Sequence, residues 1–272
     1  MRRETAAQRV RRYALRAIAL LYLLAVLVGP LAMVFWRTFE DGTGAAWKAL
    51  TTPETLHAFK LTLLVAAIAV PLNTVFGVVC ALLIVRRRFR GKGLLNAFVD
   101  LPLALSPVVV GLSLFLLYGR EGWFGGWLEE HDVQVLFALP AMVLATVFVS
   151  LPFVCREVVP ALREIGDEQE QAARTLGASG MQTLWRITLP SIRWAIVYGV
   201  VLTTARCLGE YGAVAVVSGR IQGQTETATL RVEERYDSFD IQGAYAISLV
   251  LALLAVLVLV AMTVIKPKES TS

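Results

Sequence analysis

The chain is short of charge: Asp, Glu, Lys and Arg make up 17% of its 272 residues, against about 25% in a soluble domain. It holds 3 cysteines and no CxxC pair, which excludes a disulfide framework and a cysteine zinc site. Cys80, Cys155 and Cys207 all fall inside apolar blocks and read as small buried residues. The 2 histidines, His57 and His131, lie in polar segments without ligand partners, so no metal centre is expected. No Gly-x4-Gly-Lys-Ser/Thr loop is present, and Gly91-Lys92-Gly93 lacks that pattern, so the chain itself binds no ATP through a Walker loop. Neither HExxH nor GxSxG occurs, and nothing points to catalysis.

What is present is apolar. Apolar residues are 57% of the chain and the mean hydropathy is +0.64, where a soluble domain has about 45–50%. The apolar residues gather in long blocks between charged segments, the pattern of a polytopic membrane protein. The net charge of +5 does not indicate nucleic acid, because the basic residues flank apolar blocks. The partner they imply is the lipid bilayer.

A bilayer-crossing helix needs about 20 mainly apolar residues. Six stretches qualify: Ala17 to Trp36, Leu61 to Val85, Leu94 to Tyr118, Val133 to Cys155, Trp194 to Gly219 and Ile241 to Ile265. The third contains Asp100; the fifth contains Arg206 and Glu210. The basic start (Arg2, Arg3, Arg9, Arg11, Arg12, Arg16) suits a signal peptide, but the apolar core is too long and no A-x-A site follows. The first stretch therefore reads as a retained span. Of the 26 Lys and Arg, 18 fall on one side, in the N-terminus, 86–92, 156–193 and the C-terminus; 7 fall on the other, and Arg206 lies within a span. Both termini are then cytoplasmic. Acidic residues run the other way, and the outer segments net −5. That face does not gather anions, so an anionic cargo needs another protein to deliver it. The organisation read from this pattern is an N-terminal segment 1–57, a transmembrane domain 58–265 and a tail 266–272.

The inner segment 156–193 is longer than a membrane turn requires. Asp167 with Glu170 makes an Asp version of the capping box, and the helix runs through Ala172, Ala173 and Leu176 on one side. Gly177 stands where a left-handed C′ residue belongs. Ser179 with Gln182 makes a second capping box, and Pro190 ends the second helix. Two readings stand: a helix that docks into a groove of a second protein, or a loop folded back on its own spans.

Charges within spans carry two readings as well. Arg206 and Glu210, four apart on one helix, either hold the fifth span internally or place Arg206 on a path for anions. Asp100 reads as a structural partner for a basic group. Ser106 and Pro107 interrupt the third span, as a local kink or as a broken turn lining a path. Gly209 and Ala213 form a small-xxx-small pair. The run Arg86 to Arg90 reads as a topology anchor.

The inner segment resembles the EAA signature of ABC-importer permeases, E-A-A-x3-G-x9-I-x-L-P. Here it reads Q-A-A-R-T-L-G, nine residues, then I-T-L-P, matching at Ala172, Ala173, Gly177, Ile187, Leu189 and Pro190. The family's glutamate, associated with a basic residue of the ATPase, is Gln171 here; Glu168 shares roughly that face and is placed to supply the charge. Asp100 to Leu112 and Thr204 to Gly219 look like segments of sulfate and molybdate permeases. V-V-S-G-R-I-Q-G-Q-T-E-T, followed by L-R-V-E-E-R-Y-D, looks most like the CysW type of sulfate/thiosulfate permease subunit.

The resemblance implies an all-α, six-span, type I ABC-importer permease fold in a bacterial cytoplasmic membrane. It implies two copies of an ATP-binding subunit docked on the cytoplasmic helices of the permease pair, in this chain on Gln171, Ala172, Ala173, Leu176 and Gly177, with ATP and Mg held in those subunits and no cofactor in this chain. It further implies a distinct sister permease and an extracytoplasmic sulfate- or thiosulfate-binding protein, met by the polar loop Gly219 to Asp240. Two alternatives remain: a molybdate or tungstate importer subunit, and a proton-coupled secondary transporter using Asp100, Arg206 and Glu210 as a relay.

Overall fold

The computed structural model describes residues 6–265, and these form helices and turns with no strand. Arg2, Arg3 and the 266–272 tail lie outside the described residues. The chain divides into two compact units, one running to Thr52 and taking in Val232–Val250, the other comprising Pro53–Arg231 and the chain from Leu251.

In the first unit, α1 (Ala6–Leu23) and α2 (Gly29–Phe39) are joined by a π-helical turn, Leu24–Val28. Arg12–Phe39 thus runs as one apolar helix. The π turn precedes Pro30, which has no N–H to continue the regular ladder. A short helix, α3 (Thr43–Leu50), follows.

The second unit is built on α4 (Pro53–Arg86), α5 (Lys92–Ala104), α6 (Pro107–Tyr118), α7 (Gly125–Glu130), α8 (Leu139–Ser150) and α9 (Pro152–Ile165). After these come α10 (Glu168–Thr175), α11 (Gly180–Thr183), α12 (Leu189–Ser191), α13 (Arg193–Leu208) and α14 (Gly212–Val217). Two helices, α15 (Ala228–Asp237) and α16 (Ile241–Ile265), complete the described residues. Among the described residues four helices are long and apolar enough to cross a membrane, Arg12–Phe39, Pro53–Arg86, Leu139–Ile165 and Ile241–Ala261, and two bent pairs, each taken as one span, bring the number to 6.

Three of the apolar stretches fold otherwise than their hydropathy suggests. The third is no straight span: α5 and α6 meet at 110° across Leu105–Ser106. Pro107 has no N–H to extend α5 and instead starts α6, where its fixed φ suits the first turn. The fourth begins late, since Asp132 and Phe137 take left-handed φ and Val133 to Ala138 are not helical. It also runs on past Arg156 to Ile165, because Val154, Val158 and Leu162 recur on one buried face while Arg156 and Arg163 stay exposed. The fifth stops at Leu208, and 212–217 is a separate helix.

The core gathers α4, α5, α9 and α13 around Val78, Ile84, Val99, Val154, Val158 and Leu162. Glycines permit the approach. A Cβ at Gly77 would lie 2.7 Å from the Val154 Cβ, and one at Gly199 would lie 2.7 Å from the Val154 Cα. Small residues of this kind let helices pack closely where lipid offers no hydrophobic driving force. Cys80, Cys155 and Cys207 are buried and free.

Candidate functional site

Two features carry the candidate site residues: the helix–glycine–helix segment after α9, and the paired breaks in the third and fifth spans.

The segment begins at Gly166, whose φ of +72 and ψ of −166 belong to a region almost confined to glycine. After α10 the chain closes a Schellman motif: the Gly177 N–H donates to the Arg174 carbonyl and the Ala178 N–H to the Ala173 carbonyl, both at 3.0 Å, with Gly177 at φ +86. Ser179 caps α11 through a reciprocal capping box with Gln182. The Asp167–Glu170 box does not form, because no side chain caps α10 at Asp167 and Glu170 points elsewhere. Its carboxylate accepts from Arg86 Nε at 3.1 Å and from the Thr188 hydroxyl at 3.0 Å. Nor does Pro190 end the second helix. It lies in the first turn of α12, where a missing N–H is harmless, and the 68° bend comes at Ile192.

Ala172, Ala173 and Leu176 do not share one face in this packing. Ala173 is buried with Glu170, while Gln171, Ala172, Leu176 and Gly177 are exposed. Leu176 is 88% exposed, and Met181 and Trp185 are also open, at 64% and 65%. The last two were missed from sequence, although their spacing of four residues put them on one helical face. Ile187 and Leu189 are half-buried, Leu189 packing against the core, and Pro190 is exposed. Arg86 is no mere topology anchor, since its guanidinium is engaged within the protein.

At the second feature, Arg206 stands in the last turn of α13 and Glu210 lies beyond the helix end, so the two are not on one continuous helix. Arg206 Nη2 nevertheless reaches Glu210 Oε2 at 2.7 Å across the break. The Glu210 Oε1 accepts the Ala213 N–H at 2.9 Å and so satisfies a donor at the start of α14. The Glu210 side chain is 3% exposed and the Arg206 side chain 30%. Gly209 and Ala213 form no common packing stripe, because the helix ends between them. Gly209 is exposed, whereas Ala213 is buried against Gly111, whose added Cβ would fall 2.6 Å from the Ala213 carbonyl oxygen. A Cβ at Gly212 would in turn meet the Pro107 Cβ at 3.0 Å. The break at Ser106–Pro107 and the break at 209–211 therefore adjoin. Asp100 accepts from Arg156 Nε at 2.9 Å and from Asn96 at 3.2 Å.

The stretch Gly219 to Asp240 is no plain solvated loop. Glu226 and Arg231 are buried with 3.4 Å between their charged groups, and the Thr229 hydroxyl donates to the Glu210 carbonyl at 2.7 Å. The Ala228 N–H donates to the Thr62 hydroxyl at 2.9 Å. Buried polar groups of this kind are tolerated because each finds a partner. His57 Nε2 lies 3.1 Å from the Gln224 carbonyl oxygen, and His131 Nδ1 lies 2.8 Å from the Trp127 carbonyl oxygen. Among the described residues no cluster of His, Cys, Asp and Glu is placed to hold a metal ion.

Residues 73–271 match the family described as binding-protein-dependent transport system inner membrane component. The chain is 49% identical to the sulfate transport system permease protein CysW of a Synechocystis species, over 92% of this chain and 90% of that one. It is 38% identical to the sulfate transport system permease protein CysT of Escherichia coli, over 89% of this chain and 87% of that one. Among solved structures, a bacterial ABC transporter involved in import of the acidic polysaccharide alginate superposes with a TM-score of 0.80 at 16% identity, covering 98% of this chain and 100% of that one. That last likeness concerns the fold.

Proposed function

Because the chain belongs to the family of binding-protein-dependent transport system inner membrane components, we propose that it is the membrane-spanning subunit of an ATP-driven importer of sulfate or thiosulfate. The observation that carries the substrate is its likeness, along nearly its whole length, to a permease named for sulfate transport. Its higher identity to CysW than to CysT supports the W-type half of a heterodimer, with a distinct sister permease as the other half.

The excess of Lys and Arg at both ends of the chain and in 86–92 and 156–193 supports cytoplasmic termini in a bacterial cytoplasmic membrane. The segment around Gln171 to Gly177 then faces the cytoplasm. One of the importer's two copies of an ATPase subunit docks there and the other on the matching segment of the sister permease, holding the ATP and Mg that this chain has no motif to bind. Exposed Leu176, Met181 and Trp185 support the docking, since large apolar side chains left open in a segment that lies between spans suit contact with another protein. Ile187, Leu189 and Pro190 lead from that surface into α13. ATP binding draws the two docked segments together and turns the spans outward; hydrolysis resets them.

An extracytoplasmic binding protein delivers the anion, because the outer segments net −5 and repel it. The anion crosses beside the adjoining breaks at Ser106–Pro107 and 209–211, where irregular backbone can face a path. Glu210 neutralises Arg206 at 2.7 Å, so hydroxyls and backbone donors hold the anion weakly and release it.

The test is uptake of radiolabelled sulfate in cells lacking this chain, restored by the wild type, with thiosulfate and molybdate as competitors. Restored uptake that needs the ATPase subunit and yields more readily to thiosulfate supports the proposal. Uptake that persists without the ATPase subunit favours a secondary transporter, and stronger competition by molybdate favours a molybdate importer.

A further inference from the structure

The end of α4 carries an arrangement that the sequence pattern of basic residues concealed. Arg86, the last residue of α4, donates from Nε to both carboxylate oxygens of Glu170 at 3.1 Å. Its Nη1 donates to the Leu162 carbonyl at 3.0 Å and its Nη2 to the Gly166 carbonyl at 2.6 Å. Those carbonyls belong to the end of α9, where backbone acceptors have no helical partner and where a positive charge is favoured. Glu170 stands in the first turn of α10, where a negative charge is favoured. Its Oε1 also accepts from Thr188, at the end of the π-helical turn Leu184–Thr188 that leads through α12 to α13. The side chains of Arg86 and Glu170 are 16% and 10% exposed, and Thr188 is buried. One planar guanidinium thus ties together the ends of α4 and α9 and the start of α10, and through Glu170 the approach to α13.

We infer that Arg86 is a positioning residue for transport: with Glu170 it makes the docking segment and the ends of three spans one rigid joint, so that a displacement of α10 reaches α4 and α13 together with α9. The inference rests on the importer reading. Without the joint, α10 remains attached to α9 only through Gly166, whose φ of +72 marks a turn rather than a continued helix. A helix connected in that way can shift on the bound ATPase without moving the spans. The geometry needs arginine in particular: four acceptors around one fork suit a guanidinium, and a lysine ammonium supplies a point charge instead.

The experiment uses the complete importer in proteoliposomes with its loaded binding protein, and measures ATP hydrolysis and sulfate uptake together. Arg86→Lys should leave hydrolysis within about twofold of wild type and reduce sulfate moved per ATP by about tenfold, the upper part of the range for residues that carry coupling. Glu170→Gln keeps one acceptor oxygen, which can still take the Thr188 hydroxyl and one bond from Arg86, and a smaller loss of about threefold in the same ratio is expected. If hydrolysis and uptake fall in proportion, or if the ratio is unchanged in both variants, Arg86 serves assembly alone and the inference is overturned. If Arg86→Lys fails to assemble, the ratio in Glu170→Gln decides between these outcomes. Spin labels at exposed positions 87 and 174 give a second reading. Their separation should be the same in nucleotide-free and vanadate-trapped wild type and should change in Arg86→Lys. If wild type shows no ATP-driven sulfate uptake, the importer reading has failed instead, and the label distances judge the joint.

Discussion

Replacing Gly177 separates what this chain requires there from what a partner requires. The backbone at Gly177 is left-handed, with φ +86, and an added Cβ would meet nothing within 4 Å. Any L-residue therefore carries a backbone cost of about 1–2 kcal/mol and no steric cost within the chain. That is small beside the roughly 5–15 kcal/mol that holds a domain together. Gly177→Ala and Gly177→Arg share this cost, so both should insert and fold. They differ in what they place next to Leu176, which is 88% exposed. Alanine adds one methyl group. Arginine adds a long charged chain in the middle of the docking surface, and spoiling such a centre costs about 2 kcal/mol or more, which is about 30-fold in affinity. The assay is sulfate uptake in cells lacking the native chain, with the amount of ATPase subunit that co-purifies measured in parallel. Gly177→Ala should retain most uptake, and Gly177→Arg should lose both uptake and the bound ATPase subunit. If Gly177→Arg transports as well as Gly177→Ala, the surface around Leu176 is not where the ATPase docks.

Further outcomes follow from the packing and the ion pairs. Gly199→Val should lower the unfolding midpoint in detergent through overpacking worth about 1–3 kcal/mol, and Val154→Ala should not restore it, because the collision is with the Val154 Cα at 2.7 Å; full rescue would show that the helices simply move apart. The Asp100–Arg156 pair is partly open, its side chains 33% and 56% exposed. Asp100→Asn should therefore change stability by less than about 1 kcal/mol and leave uptake near normal, whereas complete loss of uptake would assign Asp100 to the transport path. Arg231→Met removes the guanidinium that lies 3.4 Å from the Glu226 carboxylate, which is 2% exposed. The cost should be about 3–5 kcal/mol, with much of it regained in the double variant Glu226→Gln, Arg231→Met. Equal instability of single and double variants, by thermal unfolding, would refute the ion-pair account.

Properties set by short range were legible in the sequence. The positions of the apolar stretches followed from composition, since a bilayer demands about 20 apolar residues whatever surrounds them. Ile241–Ile265 forms a single helix over the very limits that hydropathy marked. The left-handed Gly177 and the Ser179–Gln182 box were readable because each is closed by residues within one helical turn.

Tertiary structure decided the rest. Hydropathy averages over a window, so it does not register the 110° turn at Leu105–Ser106 or the end of α13 at Leu208. The Asp167–Glu170 box was a sound local rule that lost to a distant partner: Glu170 is held by Arg86, 84 residues away in the chain. A charge-assisted, largely buried contact outweighs an exposed cap. The same holds for the polar loop 219–240, in which Ala228 and Thr229 find partners in Thr62 and the Glu210 carbonyl from other parts of the chain. Sequence alone set which segments must enter lipid and how their ends close locally. Only the packed chain decided where the spans break and which charges meet, because such pairings depend on the helices that bring distant residues side by side.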